Sequence, residues 1–597
     1  MSNLSKRGIQ RSSSILPVVY KRDVEFKYDY IWYGLWWMVA ASLCSGFGNS
    51  LQPVSTLAFL HTFMLLTAFD SLIKGFGMSL LGHCLSFSST VFIQALGTAL
   101  GFSGIANPHS AENVIYVFLF GLLFWFLYTF LALYFHYAFM QKYPGSFLLP
   151  LIYPAAHTAV TMIIIGYALG VLTALGGSVL DYAPLRYVSA LFGLGGVNFV
   201  TVLGGTLVYL LWVQHDTHRI VKTAYFNLGL LVVLFIITGF IIQGGWLYDE
   251  SYSHQIRSTV PVSCLLSQRA SVDSADYQAL WHQTETRANA GDSIILWSEK
   301  AIQLNSAESE RQAILRASDI AKSASNSGDY NRPYIGITYE LTLDQGNSFT
   351  NQFVLVNPKG LVAWNYQKSY PLPVMESNVR PGGFVLPTSS GNNLGELGGA
   401  IGFDMDHPWF IRQASGKGVD ILLQPSWTWG SVGPRSFDNE ALRAIENGLT
   451  LFRCSSDGVS GIVSGGSSLG SLITAQVITD HSPNSTLLMQ LPIVNRKITL
   501  YSACGFVFDW LMLSFSLLVS LAVIFDIKYI SEIRPSLAPY ISFVFNDQEL
   551  VVYEDKKYEE AYDYERIQGE RVDEENEISG ELEDQQQQQQ QQDRNTA

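Results

Sequence analysis

The sequence predicts a polytopic α-helical membrane protein of about eight spans with an α/β extramembrane domain inserted ahead of the last one. Three observations predict it. Hydrophobic residues make up 48% of the 597 residues and charged residues only 14%, against about 25% charged in ordinary soluble domains. The apolar excess is gathered in long runs before residue 250 and in one run after residue 503, the pattern of membrane helices. Between them lies a stretch of short β-rich runs and ordinary polar composition.

Seven N-terminal spans are predicted, at about 29–49, 53–73, 78–104, 114–139, 147–175, 186–214 and 223–247. Each is long enough, at a rise of about 1.5 Å per residue, to cross a hydrocarbon core of about 30 Å. The third contains the polar stretch "GHCLSFSST" (82–90), so it is expected to be broken or packed inside the bundle, with His83 satisfied by a neighbouring helix. Residues 1–28 form a basic leader, and the first span then reads as a signal anchor. Lys74, Lys142, Arg219 and Lys222 lie in alternate loops, and the loops between them hold only Arg186. The positive-inside rule therefore places the N-terminus in the cytosol and residues 248–503 on the far side. An eighth span, 504–526, returns the chain, and Lys528 and Arg534 follow it, giving a cytosolic C-terminus. The tail 527–597 is acidic, ends near a glutamine run and reads as disordered. It carries much of the net charge of −14, so no nucleic-acid partner is implied.

The far-side segment contains "DSIILWSE", "PYIGITYEL", "FVLVN", "LVAWNYQK", "LGGAIGFDMD" and "VDILLQPSW", each a strand-like run. "NPKG" (357–360) makes 353–368 a hairpin. "RSFDNEALRAIENGL" has helical spacing with Phe437, Leu442 and Ile445 near one face. Strands mixed with helices predict a layered α+β or α/β domain with one core. The five cysteines, Cys44, Cys84, Cys264, Cys454 and Cys504, make no CxxC and no metal spacing. No metal or cofactor is therefore expected. Cys264 and Cys454 pair only if geometry and an oxidising compartment allow it, and Cys454 otherwise reads as a small buried hydrophobe. Asn484-Ser-Thr is a glycosylation sequon on the predicted far side.

Three charges stand at the ends of apolar runs: Glu299 after "IILWS", Lys368 after "LVAWNYQ" and Asp404 after "GGAIGF". The mouths of strands are where α/β sites are built. Together the motifs resemble the nitrilase, or carbon–nitrogen hydrolase, superfamily, and within it the membrane-embedded apolipoprotein N-acyltransferase branch. "WSE" is similar to the family's Trp-Pro-Glu segment, which implies Glu299 as general base. "YQKSYPLPVME" is similar to its lysine segment, which implies Lys368 as the cation beside the tetrahedral intermediate and Glu376 as the branch's second glutamate. "ALRAIENGLTLFRCSSDGVSGIV" and "QPSWTWG" resemble two later segments. The resemblance implies an αββα sandwich and acyl transfer through a cysteine thioester, from a phospholipid to the amine of a lipidated protein. The charge pattern of the loops, with which the sequon agrees, makes this domain lumenal, and the endoplasmic reticulum or another endomembrane is the default location.

The sequence departs from the family at one position. The elbow Ile-Cys-Tyr/Phe-Asp/Glu reads Ile401-Gly402-Phe403-Asp404 here. Asp404 matches the acidic position, but glycine has no atom to acylate, and loss of a nucleophile typically lowers the rate about a million-fold. Ser415 and Ser426 have no evident base, and His407 reads as a surface or capping residue. Two readings stay open: an N-acyltransferase or amide hydrolase, and an inactive pseudoenzyme that binds lipid or a membrane partner. A transporter is the weakest reading, because Asp70 is the one clear charge within the spans.

Overall fold

The computed structural model describes residues 27–77, 79–103, 111–143, 146–213, 219–248, 256–324, 332–343, 347–373, 375–428, 432–465, 476–477, 485–494 and 496–524. The leader, Asn484 and the acidic tail lie outside them. The chain divides into one unit comprising Met1–Ala138 and Pro150–Ile524 and a second comprising Phe139–Leu149 and Phe525–Ala597. Of the second, the described part is residues 139–143 and 146–149, which include the end of one helix, to Lys142, and the start of the next, at Leu149.

The N-terminal part of the chain is helical: α1 (Tyr28–Gly48), α2 (Ser55–Phe76), α3 (Leu80–Phe102), α4 (Ala111–Tyr128) continuing through a π-turn into α5 (Tyr134–Lys142), α6 (Leu149–Ala159) continuing into α7 (Gly166–Leu169), α8 (Ala183–Val213) and α9 (Arg219–Tyr248). Among the described residues five helical segments are long and apolar enough to cross a membrane: Ser55–Phe76, Leu80–Phe102, Val114–Lys142, Leu149–Leu169 and Pro184–Val213. The expected count of about eight is therefore not reached. The apolar parts of two further helices, Tyr225–Gly239 and Val507–Val523, are shorter. Helix α1 is studded with tyrosine, tryptophan, glycine and serine, which hold its hydropathy down.

Three local expectations are corrected. Helix α3 is continuous, and Ser86 and Thr90 inside its polar stretch return their hydroxyls to the carbonyls of Gly82 and Ser86. The break falls instead in α8, at Gly193, whose φ of +66° only glycine adopts readily. The fifth span ends at Leu169, and the apolar residues after it form a buried non-helical loop with a 3₁₀ turn at Leu175–Val179.

The α/β domain contributes β1 (Ile256–Leu265), β2 (Ala270–Ser271), α10 (Ala275–Asn289), β3 (Ile294–Trp297), β4 (Ile302–Leu304), α11 (Ala307–Ser323), β5 (Tyr334–Leu343), β6 (Ser348–Val356) and β7 (Val362–Gln367). There follow β8 (Thr388–Ser390), β9 (Glu396–Gly399), α12 (Pro408–Ile411), α13 (Gln413–Gly416), β10 (Ile421–Trp427), α14 (Val432–Asn447), β11 (Thr450–Ser456), β12 (Val459–Ser464), β13 (Gln476–Val477) and β14 (Thr486–Val494). Helices α15 (Leu500–Cys504) and α16 (Val507–Ile524) end the described chain.

An eight-stranded sheet runs β14-β1-β3-β5-β4-β2, with β6 on β5 and β7 on β6; a six-stranded sheet runs β13-β12-β11-β10-β9-β8. Period-two alternation assigns the faces. In β3, Ile294 and Leu296 join the core shared by the two sheets, while Ile295 and Trp297 face Trp281 of α10 and Ala313 of α11. On the other side, Phe437, Ala441 and Ala444 bring α14 onto the second sheet. The domain is thus an α–β–β–α sandwich. The β6–β7 hairpin forms as the sequence predicts, with the Gly360 N–H donating to the Asn357 carbonyl at 2.8 Å. Helix α14 is buried nearly all round rather than along one stripe, and Ile445 faces Tyr187 and Ala190 of α8, not the domain core.

A disulfide joins Cys264 on β1 to Cys454 on β11, with their Cα atoms 5.3 Å apart. Cys454 is therefore not a lone hydrophobe. The bond links the two sheets across the core, and it occupies the one thiol that lies near the elbow in sequence.

Candidate active site

Strand ends of both sheets converge on one buried cluster. Glu299 follows β3 and is tied to the second sheet by its own N–H, which donates to the Ser426 carbonyl at 3.2 Å. Lys368 follows β7, and its N–H donates to the Asn351 carbonyl on β6 at 2.9 Å. The Lys368 ammonium bridges two carboxylates, at 2.8 Å from Glu299 Oε1 and 2.8 Å from Glu376 Oε2. Lys300 closes the set from the other side, 2.5 Å from Glu376 Oε1. Two carboxylates and two ammonium groups thus neutralise one another with almost no exposure, the condition under which buried charges are tolerable.

Burial alone would pull the Lys368 ammonium down, but the charges of Glu299 and Glu376 outweigh it and hold its pKa above the ordinary value. Burial likewise opposes ionisation of Glu376, yet Lys368 and Lys300 prevail and hold it well below the usual carboxylate range. Both groups are charged across the physiological range.

Of the residues singled out in the sequence, Glu299, Lys368 and Glu376 meet directly. Asp404 stands behind them. Its carboxylate accepts from Tyr366 Oη (2.7 Å), Ser369 N (3.1 Å), Tyr370 N (2.8 Å) and Ile401 N (2.9 Å). It thereby fastens the chain after Lys368 to the elbow. Burial pushes its pKa up to about 7, against the charge of Lys368 and the donors around it. His407 is buried rather than on the surface, stacked on Tyr370 with ring centroids 3.9 Å apart, because the chain turns inward after the elbow. Burial lowers its pKa to about 3, so it is a neutral ring. Ser415 donates to Asn447 at 2.7 Å and takes no part.

Sequence reasoning missed two members. Asn351 donates to Glu299 Oε1 at 2.7 Å, and Lys300 completes the charge balance. The clue to Lys300 was its adjacency to Glu299; its φ of +53° turns it back to Glu376. Asn351 gave no local signal, since only the pairing of β5 with β6 brings it in.

Gly402 lies beside this cluster, at the turn after β9, with a φ of +44°. A Cβ built on it would run into Glu299 Oε2. That oxygen accepts from the Trp427 N–H at 2.9 Å, so the carboxylate is held over the glycine by donors on β6 and β10 and just past the end of β7. The glycine carbonyl in turn is 3.4 Å from Gln424 Nε2, which also donates to Glu440 at 2.7 Å.

The elbow is mounted on the helical bundle. The Val171 N–H donates to the Asp406 carbonyl at 2.9 Å, and Gly170 packs against Phe403 and Asp406. Arg435 of α14 donates to the carbonyls of Leu172 and Ala174, at 3.4 and 3.2 Å. Leu194, just past the break in α8, donates its N–H to Glu446 at 2.7 Å, as a fresh helix N-terminus does to a carboxylate.

No protein-family model and no curated protein matches this chain. Among solved structures it is similar to an amidase from Nesterenkonia sp. AN1. One structure of that amidase, a mutant carrying the acetamide moiety of fluoroacetamide at its active-site cysteine, shares 19% identity over 40% of this chain and 92% of that one, with a TM-score of 0.33. A second mutant, described as an amidase from the nitrilase superfamily, shares 18% over 39% and 90%, with a TM-score of 0.32. The likeness is one of fold.

Proposed function

We propose that this chain is a membrane-embedded nitrilase-like protein built to the plan of the lipoprotein N-acyltransferases, and that its site does not form an acyl-thioester. The observation that carries this reading is the Glu299 carboxylate held over Gly402: the base, the cation and the second glutamate are assembled, and the space for the atom they would activate is taken by the base itself. Neither the Cys264–Cys454 disulfide nor the three free cysteines of the described residues, Cys44, Cys84 and Cys504, supplies a thiol there. The protein acts as a pseudoenzyme that keeps the pocket for an acyl chain, a phospholipid or a lipidated amine partner. Catalytic transfer is the alternative outcome.

The membrane reading rests on the five apolar helices. We further propose that both termini are cytosolic and that the α/β domain lies in the lumen of the endoplasmic reticulum or another endomembrane. The disulfide supports that side, since such bonds persist in oxidising compartments. Modification of Asn484 would follow.

The test is incubation of the full-length protein with an alkyne-tagged phospholipid, then detection of hydroxylamine-sensitive label. The wild type is expected to carry none, and Gly402→Cys to acquire it once Glu299 swings aside. Label on the wild-type domain that is lost on Glu299→Gln overturns the pseudoenzyme reading and favours catalysis.

A further inference from the structure

The helical bundle holds a polar chamber that this reading does not use. It lies among α1, α2, α3, α4 and α6, and the loop that carries Val171 against Asp406 closes it through Thr173 and Leu175. Its volume is about 30 Å³, room for one or two water-sized groups. We propose that it binds the free hydroxyl of an uncharged lipid whose apolar body stays in the surrounding hydrocarbon. The inference depends on the bundle lying in a membrane and not on whether the α/β domain is catalytic.

Two histidines line the chamber, and hydrogen bonds to their neighbours fix the tautomer of each. Gln94 Nε2 donates to the Met38 carbonyl at 3.3 Å, so Gln94 Oε1 is the acceptor that stands 3.3 Å from His61 Nε2. His61 therefore carries its hydrogen on Nε2, and its Nδ1 presents a bare lone pair. That nitrogen has no hydrogen-bond partner, although the residue is only 3% exposed. His157 has the same tautomer for a different reason. Asn198 Oδ1 accepts from the Gly176 N–H at 3.1 Å, so Asn198 Nδ2 donates to His157 Nδ1 at 3.2 Å. The hydrogen of His157 is left on Nε2. The remaining polar groups of the rings are spent: Trp125 Nε1 donates to Thr98 at 2.9 Å, and the Tyr128 hydroxyl is 2.9 Å from that of Thr161. Among the described residues no Asp, Glu, Lys or Arg lines the chamber.

This arrangement selects the ligand. A hydroxyl donates one hydrogen, which the lone pair of His61 Nδ1 lacks, and its oxygen can accept from the Nε2–H of His157. The acceptor that burial leaves unmet is thereby satisfied, and leaving it unmet costs more than an ordinary hydrogen bond gains. A phosphate or ammonium head finds no opposite charge here, and an unpaired charge is not tolerated at such depth. The rest of the wall is aromatic and apolar, with Phe102 and Phe124 beside Trp125. Phe124 and Tyr128 are half-buried, and their segment, Val114–Lys142, is the least buried of the five apolar ones. The chamber thus sits behind the helix most open to hydrocarbon, the side from which a lipid arrives. Sterols and diacylglycerols both carry a free hydroxyl on an uncharged body.

The test uses full-length protein in phosphatidylcholine liposomes, with insertion verified by flotation after carbonate wash. Four diazirine probes are compared: a sterol, a diacylglycerol and the methyl ether of each. At least one of the two alcohols is expected to label peptides containing Thr98 or Trp125, and an excess of the same alcohol without diazirine should compete. Labelling by the sterol, by the diacylglycerol or by both supports the site and names its source. The ethers can accept a hydrogen bond but cannot donate one, so their labelling should be about tenfold weaker. His61→Leu, which removes the acceptor, should weaken labelling by the alcohol to a similar extent. The ethers leave the protein unaltered, and they decide the matter if His61→Leu fails to fold. Ethers that label as strongly as their alcohols overturn the proposal. So does inserted wild-type protein that neither alcohol labels saturably, which would mean that the chamber holds water only.

Discussion

The Glu299 carboxylate is held over the α-carbon of Gly402, in the volume a Cβ would claim. Three donors fix it there, from Asn351, Lys368 and the Trp427 N–H, and the glycine's positive φ suits the turn. A side chain at this position meets two penalties: a left-handed backbone, about 1–2 kcal/mol for a residue with a Cβ, and displacement of a satisfied carboxylate. Gly402→Ala is expected to destabilise the domain by about 1–3 kcal/mol, read as a shift in the denaturation midpoint. An alanine variant as stable as the parent would mean that Glu299 is free to move.

Lys368 holds two buried carboxylates at once. Lys368→Met leaves them facing each other with only Lys300 in compensation, so a loss of about 3–5 kcal/mol is expected. Adding Glu299→Gln removes one of the stranded charges and should recover part of that loss. A double-mutant cycle reads the coupling; strictly additive effects would show that the two groups do not share the site as drawn.

The sequence reading went furthest where local chemistry decides structure. Short β-rich runs made β3, β5 and β7 legible, and Pro358 with Gly360 made the β6–β7 turn legible. Glu299 and Lys368 stood out because a charge ending an apolar strand is conspicuous. What tertiary register decides stayed hidden: Asn351 comes in from β6, and Cys264 meets Cys454 across two sheets 190 residues apart in sequence. The run "VLTALGGSVL" has the composition of a span, yet it forms the loop under the elbow, because its carbonyls are met by Arg435 and its Val171 N–H by Asp406. Helix α1 forms within a residue of the expected 29–49, but its tyrosine, tryptophan, glycine and serine residues hold its hydropathy down, and it is not among the five apolar segments.

Glu446 links the domain to the broken helix α8. Burial pushes its pKa from 4.5 up to about 7, against Arg443 and the Leu194 N–H. A carboxyl raised in the folded state keeps a proton that the unfolded chain has already released. Its contribution to stability is therefore complete below about pH 4.5 and is lost as the pH rises to about 7, a change of up to about 3 kcal/mol for one proton. Asp404 and Asp406, raised by burial to about 7 and about 6, add slope of the same sign. Melting temperature should fall between pH 5 and pH 7.5. Glu446→Gln keeps an acceptor for Leu194 and does not titrate, so it should flatten part of that fall; an unchanged profile would show that Glu446 is already ionised at pH 5.

The Cys264–Cys454 bond closes a loop of 190 residues and ties β1, which leads through β3 to Glu299, to β11, which pairs with β10. Loop-closure entropy for a cross-link of this span is worth roughly 5 kcal/mol in the chain-entropy description, a large share of the stability of an ordinary domain. Digestion of the native protein under non-reducing conditions should give one linked peptide pair containing these two cysteines, with Cys44, Cys84 and Cys504 alkylatable after unfolding. Because both sulfurs are fully buried, dithiothreitol should have little effect on the folded domain and a large one on refolding. Replacing both cysteines with alanine should lower the denaturation midpoint by more than any single substitution in the charge cluster. Recovery of Cys264 and Cys454 as free thiols from protein isolated in the presence of an alkylating agent would place the domain in a reducing compartment and reverse the proposed orientation.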